Sequence, residues 1–188
     1  MTKSVFTIEE ARRVAWGTNP KVLQVDLHNW TRGGELVLLR RGIYGFPERI
    51  KDKIEIAKVL YGPAYVSLEY ALHQYGLIPD VAFAVTLVTT RLPRHFKTAY
   101  GEFSYRKIQP RLFWGYDPDT LMGEREKVMV DYCYLNSGRL IAKPDFWESQ
   151  RWQNLDQVDF KKAISYARRF GNKKVVRLVR SLGEYGAA

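Results

Sequence analysis

The sequence predicts an α+β chain, with two helices and a β-hairpin first, then a larger mixed domain. Three observations carry this expectation. Helix start and stop signals alternate with short β-branched runs along the whole chain. Hydrophobic residues make up 46% and aromatics 14% of 188 residues, enough for a real core. The longest apolar runs are about one strand long, too short for a membrane span. The domains are expected at 1–47 and 48–188.

Thr7 and Glu10 have capping-box spacing, and Phe6 and Ala11 sit where a hydrophobic staple would place them. A helix is expected from Ile8 to about Trp16, stopped by Gly17. Asn19 followed by Pro20 starts a second helix that runs to about Arg32 and ends at Gly33-Gly34. At ~100° per residue Leu23, Leu27 and Trp30 face inward. Lys21, Val25, His28 and Arg32 fall opposite them, with Gln24 and Asn29 flanking. Leu36–Leu39 and Ile43–Phe46 read as strands joined by a three-residue turn, Arg40-Arg41-Gly42, in which Gly42 supplies a positive φ.

Further on, Ile54–Leu60 reads as a helix broken by Gly62-Pro63. Ser67 is expected to cap a helix carrying Leu68, Ala71, Leu72 and Tyr75, which stops at Gly76. AFAVTLVTTR reads as a central strand, and HFKTAYGEFSYRKI as a hairpin turning at Tyr100-Gly101. PRLFWGYDPDTLMG reads as loop. REKVMVDYCYLN is expected to be a helix with Val128, Met129, Tyr132 and Leu135 inward. Asp159 caps a helix ending at Gly171, and NKKVVRLVRSL closes the chain as an amphipathic helix. Its Val175, Val176, Val179 and Leu182 face the core, with Lys173, Lys174, Arg177 and Arg180 outside.

The net charge is +10, which favours an anionic partner. The excess sits at the two ends: residues 161–180 alone hold eight basic residues and no acid. The single cysteine, Cys133, forbids an internal disulfide and fits a reducing compartment, so a cytoplasmic protein with no membrane segment is expected. Three histidines without metal-ligand spacing, no P-loop and no G-x-S-x-G leave no expected catalytic residue, cofactor or metal. Asp117 and Asp119 in YDPDT read as turn chemistry before they read as a cation site.

Helix, turn, helix and an arginine-tipped hairpin form the second half of a winged helix-turn-helix. Its second helix would offer side chains to a major groove, while Arg40 and Arg41 meet phosphate. The same pattern also fits a solvated helix face beside an exposed turn. A complete motif has one more helix ahead of Thr7, where six residues stand, so the fold reads as truncated. The apolar side around Ile8, Leu23 and Trp30 then has to be covered by the rest of the chain or by a second copy.

From about Val5 to Leu182 the chain resembles the AbiEi family of antitoxins of bacterial and archaeal toxin–antitoxin operons, of the type IV kind. The resemblance rests on LLRRGIYGFP, LYGPAYVSLEYALHQYGLIPD, VTLVTTRLPRHFKTAYGEFSYRKIQPRLFWGY and DFKKAISYARRFGNKKVVRLVRSL. It implies an N-terminal winged helix-turn-helix that represses its own operon and a C-terminal α/β antitoxin domain that opposes a nucleotidyltransferase-like toxin. By that resemblance Lys21, Gln24, His28, Arg32, Arg40 and Arg41 contact operator DNA. The basic C-terminal side chains Lys173, Lys174, Arg177 and Arg180 suit DNA phosphate or an acidic toxin cleft. A homodimer is a further expected partner state. The alternative expectation is a protein-interaction module that neutralises a toxin by contact without binding DNA.

Overall fold

The structure, a computed structural model, describes residues 3–187. It is mixed α and β, with two small, mostly antiparallel sheets. The chain divides into two compact units. The first takes residues up to Gly62 together with the hairpin segment Phe96–Glu102; the second takes Pro63–His95 and the residues from Phe103 onward.

In the first unit, β1 (Val5–Thr7) leads into α1 (Ile8–Val14) and α2 (Pro20–Gly33), then β2 (Val37–Arg40), β3 (Ile43–Gly45) and α3 (Lys53–Leu60). The sheet order is β1–β3–β2, antiparallel, with Val5 and Val37 both opposite Gly45. β1 was not anticipated, because three residues are too few to show alternation. It is recruited from outside: the Phe46 amide donates to the Ser4 carbonyl (2.9 Å) and the Ile8 amide to the Gly42 carbonyl (2.8 Å). Thr7 ends the strand and opens α1 through the expected capping box. The Glu10 amide donates to Thr7 Oγ1 (3.2 Å) and the Thr7 amide to Glu10 Oε2 (2.8 Å). α1 stops short of Trp16 because Ala15 leaves helical dihedrals (φ −86°, ψ 43°). Asp52 caps α3, which packs on β1 and β2.

Leu23, Leu27 and Leu36 form one buried cluster of this unit, with Phe6, Ile8, Ala11, Ala15, Tyr44 and Phe46 packed against it, while Val5, Leu39, Ile43, Ile56 and Leu60 are buried elsewhere in the unit. Trp30 is only partly inside, at 41% exposure. The unit does not close its own apolar side: a groove of about 580 Å³ opens over Leu23, Leu27 and Leu36.

The second unit carries β4 (Ala64–Val66), α4 (Leu68–Gln74), β5 (Ala84–Thr89), α5 (Arg125–Leu135), α6 (Pro144–Ser149), α7 (Phe160–Arg169) and α8 (Lys173–Gly186), together with the start of β6 (Arg94–Thr98) and most of β7 (Gly101–Lys107), whose connecting turn counts with the first unit. The strand order is β4–β5–β7–β6, so the β-branched run is central as expected, with Val85, Leu87 and Val88 buried. α5 packs against α4, α7 and α8. Burial is not confined to the expected Val128, Met129, Tyr132 and Leu135 side: Glu126 through Cys133 are buried on every side. Ser67 does not cap α4. Thr86 of β5 does so instead, its Oγ1 accepting the Tyr70 amide (2.9 Å) and donating to the Ser67 carbonyl (2.7 Å).

The freed Ser67 hydroxyl turns to Asp131 (3.1 Å). Asp131 also accepts from the Tyr65 hydroxyl (2.6 Å) and pairs with Lys127, one helical turn away on α5. All four side chains are fully buried. Lys127 Nζ donates to Tyr65 Oη (2.6 Å) and lies 5.1 Å from the ring centres of Tyr65, Trp114 and Phe170. Gly115 gives the aliphatic stem of Lys127 room, for it holds φ +72° and an added Cβ would meet Lys127 Cγ at 3.0 Å. Burial pushes the Asp131 carboxyl up and the Lys127 ammonium down, and their mutual attraction opposes both shifts.

Asp131→Ala leaves Lys127 buried without its counter-ion and lowers unfolding free energy by about 3–5 kcal/mol in urea titration. Lys127→Met/Asp131→Leu recovers part of that loss, because no unpaired charge stays buried. Cys133 is fully buried and its thiol is pushed up to about 12, so Ellman's reagent at mildly alkaline pH leaves the native protein unmodified and titrates one thiol after denaturation.

Candidate nucleic-acid interface

α2 has the local signals of a well-defined helix. Asn19 Oδ1 accepts the Lys21 amide (2.9 Å), Pro20 takes the first helical position, and Gly34 ends the helix at φ +82°. Leu23 and Leu27 turn into the core, which sets the opposite side outward. On that side Lys21, Gln24, Val25, His28 and Arg32 are all exposed, as is Asn29, and none is covered by its own unit. Asp26, half-buried, is the helix's one acid. The outer face thus offers two cations, an imidazole, two amide side chains and an aliphatic methyl surface. These are the donor, acceptor and apolar groups that read base edges and phosphates.

The hairpin differs from expectation. A bulge between Leu38 and Arg40 brings Arg40 opposite Ile43, so the turn is Arg41-Gly42 and Arg40 closes the strand. Gly42 holds the expected positive φ, at +78°. Arg40 Nη1 donates to the Leu60 carbonyl (3.0 Å) and the guanidinium stacks over Phe96, 4.8 Å from its centre. Arg41 is exposed and makes no hydrogen bond or ion pair among the described residues. The two arginines therefore have different status: one is held by its own chain, the other is free.

In the second unit the basic stretch separates in the same way. Lys162 pairs with Glu124 (2.8 Å) and Glu126 (3.1 Å), which lifts its ammonium pKa and holds the Glu124 carboxyl below its ordinary value. Arg169 stacks over Trp114 at 3.6 Å. Arg111, which no local sequence signal marks, donates to the carbonyls of Arg169 (3.2 Å) and Phe170 (3.1 Å) and so satisfies the C-terminal end of α7. Lys173, Arg177 and Arg180 are exposed and Lys174 is half-buried, with no acid partner among the described residues. On the buried side of α8, Leu178 joins Val175, Val179 and Leu182, while Val176 is half-buried.

Two further polar groups have partners within the chain. Asp117 Oδ1 accepts the amides of Asp119 (2.7 Å) and Thr120 (3.1 Å), an Asx turn. Glu69 lies 3.5 Å from Arg139. Among the described residues no three His, Cys, Asp or Glu side chains converge as metal ligands, and no helix is long and apolar enough to cross a membrane. No protein-family model matches the chain, and no curated protein matches it.

The two arginines are separable by stability. Arg40→Ala removes a charged hydrogen bond and a cation–π contact and lowers unfolding free energy by about 1–2 kcal/mol. Arg41→Ala stays within about 0.5 kcal/mol of the parent in the same denaturant titration.

Proposed function

We propose that this chain is a non-enzymatic, DNA-binding regulator with the role of an antitoxin. In this reading the first unit works as a winged helix-turn-helix reader, with α2 as its recognition helix and the β2–β3 hairpin as its wing. The observation that carries it is the outward face of α2: Lys21, Gln24, Val25, His28 and Arg32 stand exposed while the same helix anchors the unit's core through Leu23 and Leu27. A face held on so rigid a helix is pre-organised for a groove, and Arg41 adds a free cation at a tight turn. The second unit supplies the toxin-opposing surface. The exposed Lys173, Arg177 and Arg180 suit an acidic cleft on a nucleotidyltransferase-like partner, the class that the AbiEi resemblance implies.

One observation favours the second reading, an interaction module without DNA contact: the open apolar groove of the first unit. Fluorescence anisotropy with the chain's own promoter region and an unrelated duplex separates the two. The regulator binds the promoter more tightly. Gln24→Ala and His28→Ala each reduce that preference by about 1–3 kcal/mol, with the unrelated duplex little affected. Arg41→Ala weakens both duplexes and flattens the log–log salt slope by ~0.9, the loss of one phosphate contact. Equal affinity for both duplexes, with toxicity still suppressed on co-expression, sets the regulator half aside in favour of the interaction module.

A further inference from the structure

We propose that the groove of the first unit is the two-fold interface of a homodimer, each copy placing Trp16 in the groove of the other. The floor is the unit's own core: Phe6, Leu23, Leu27, Leu36 and Phe46. Its volume, about 580 Å³, is ample for an indole ring and a neighbouring aliphatic side chain. An apolar surface of this kind left in water is what association removes.

The group that fits it stands on the same molecule. Trp16 is 91% exposed and Val14, on the groove's edge, is 89% exposed. They are not on a loose tail. The Ala15 amide donates to the Ala11 carbonyl (2.9 Å), the Thr18 amide donates to the Ala15 carbonyl (3.0 Å), and Gly17 turns the chain at φ +84°. A two-fold interface needs key and lock on one copy, so that residue i meets j and j meets i. This unit has both.

The polar rim points to a second copy rather than to a partner of one charge. Lys3 and Glu10 at the rim pair with each other. Glu35 and Arg49, also at the rim, have no ion-pair partner among the described residues, and Arg49 rests only on the Phe46 ring (4.6 Å). One unpaired acid and one unpaired base on each copy match reciprocally across a two-fold axis. Association is expected on the order of 10–100 µM.

Sedimentation velocity on the full chain, without DNA, from about 1 µM to about 500 µM, tests this. The wild type shifts from monomer to dimer across that range. Trp16→Ala, at an exposed site that leaves the fold intact by circular dichroism, weakens association at least ~10-fold. Glu35→Arg does the same, and Glu35→Arg/Arg49→Glu restores it. A wild type still monomeric at the top concentration overturns the proposal and gives the groove to another occupant. So does a Trp16→Ala variant that dimerises like the parent, or a reversed pair no better than the single variant. The inference does not rest on the regulator reading, and with no DNA in the cell its failure leaves that reading untouched.

Discussion

A lysine and an aspartate with no access to water set the terms for the larger unit. Lys127 and Asp131 are both fully buried one turn apart on α5, and neither charge is tolerable alone. Each must therefore find every remaining partner inside the protein. Tyr65 on β4 and Ser67 just after it supply hydroxyls, and the rings of Tyr65, Trp114 and Phe170 surround the ammonium. This requirement ties β4 to α5 and draws Phe170, at the end of α7, to the same point. It also explains why α4 is capped by Thr86, since Ser67 is already committed.

The first unit is organised by a different constraint. The cluster under α2 is open on one side, so α2 works in two directions. Leu23 and Leu27 hold the helix down, and the 3.6-residue period then leaves Lys21, Gln24, Val25, His28 and Arg32 outside. Burial on one side is what makes the other side a rigid display. The proposed DNA contact and the proposed dimer contact use different faces of this unit: the outward side of α2 for one, the groove over Leu23, Leu27 and Leu36 for the other. A dimeric reader of two half-sites follows naturally from their combination.

Much of this was legible before any coordinates. The capping box at Thr7, the Asn19-Pro20 start, the positive φ at Gly42, the stops at Gly34, Gly76 and Gly171 and the central β-branched strand all rest on local chemistry, and all are present, whereas α1 ends before Gly17. The misses have a common origin. β1 and β4 are three residues each and become strands only because a partner strand lies beside them. α5 looked two-sided because Glu126, Lys127 and Asp131 are polar, yet Lys127 and Asp131 pair inside. In the hairpin, Arg40 and Arg41 are chemically the same, and only the bulge and the Leu60 carbonyl tell them apart.

By itself the sequence determined where α2, α7 and α8 begin, which sides of α2 and α8 are apolar, and that the chain carries an excess of positive charge. Those are properties of neighbouring residues, written in spacing and side-chain type. Tertiary structure alone decided which cations are free and which are spent internally, that a lysine and an aspartate share a dry site, and that one apolar side stays open. Each of these depends on groups tens of residues apart meeting within a few ångströms, and periodicity along a chain carries no record of such meetings.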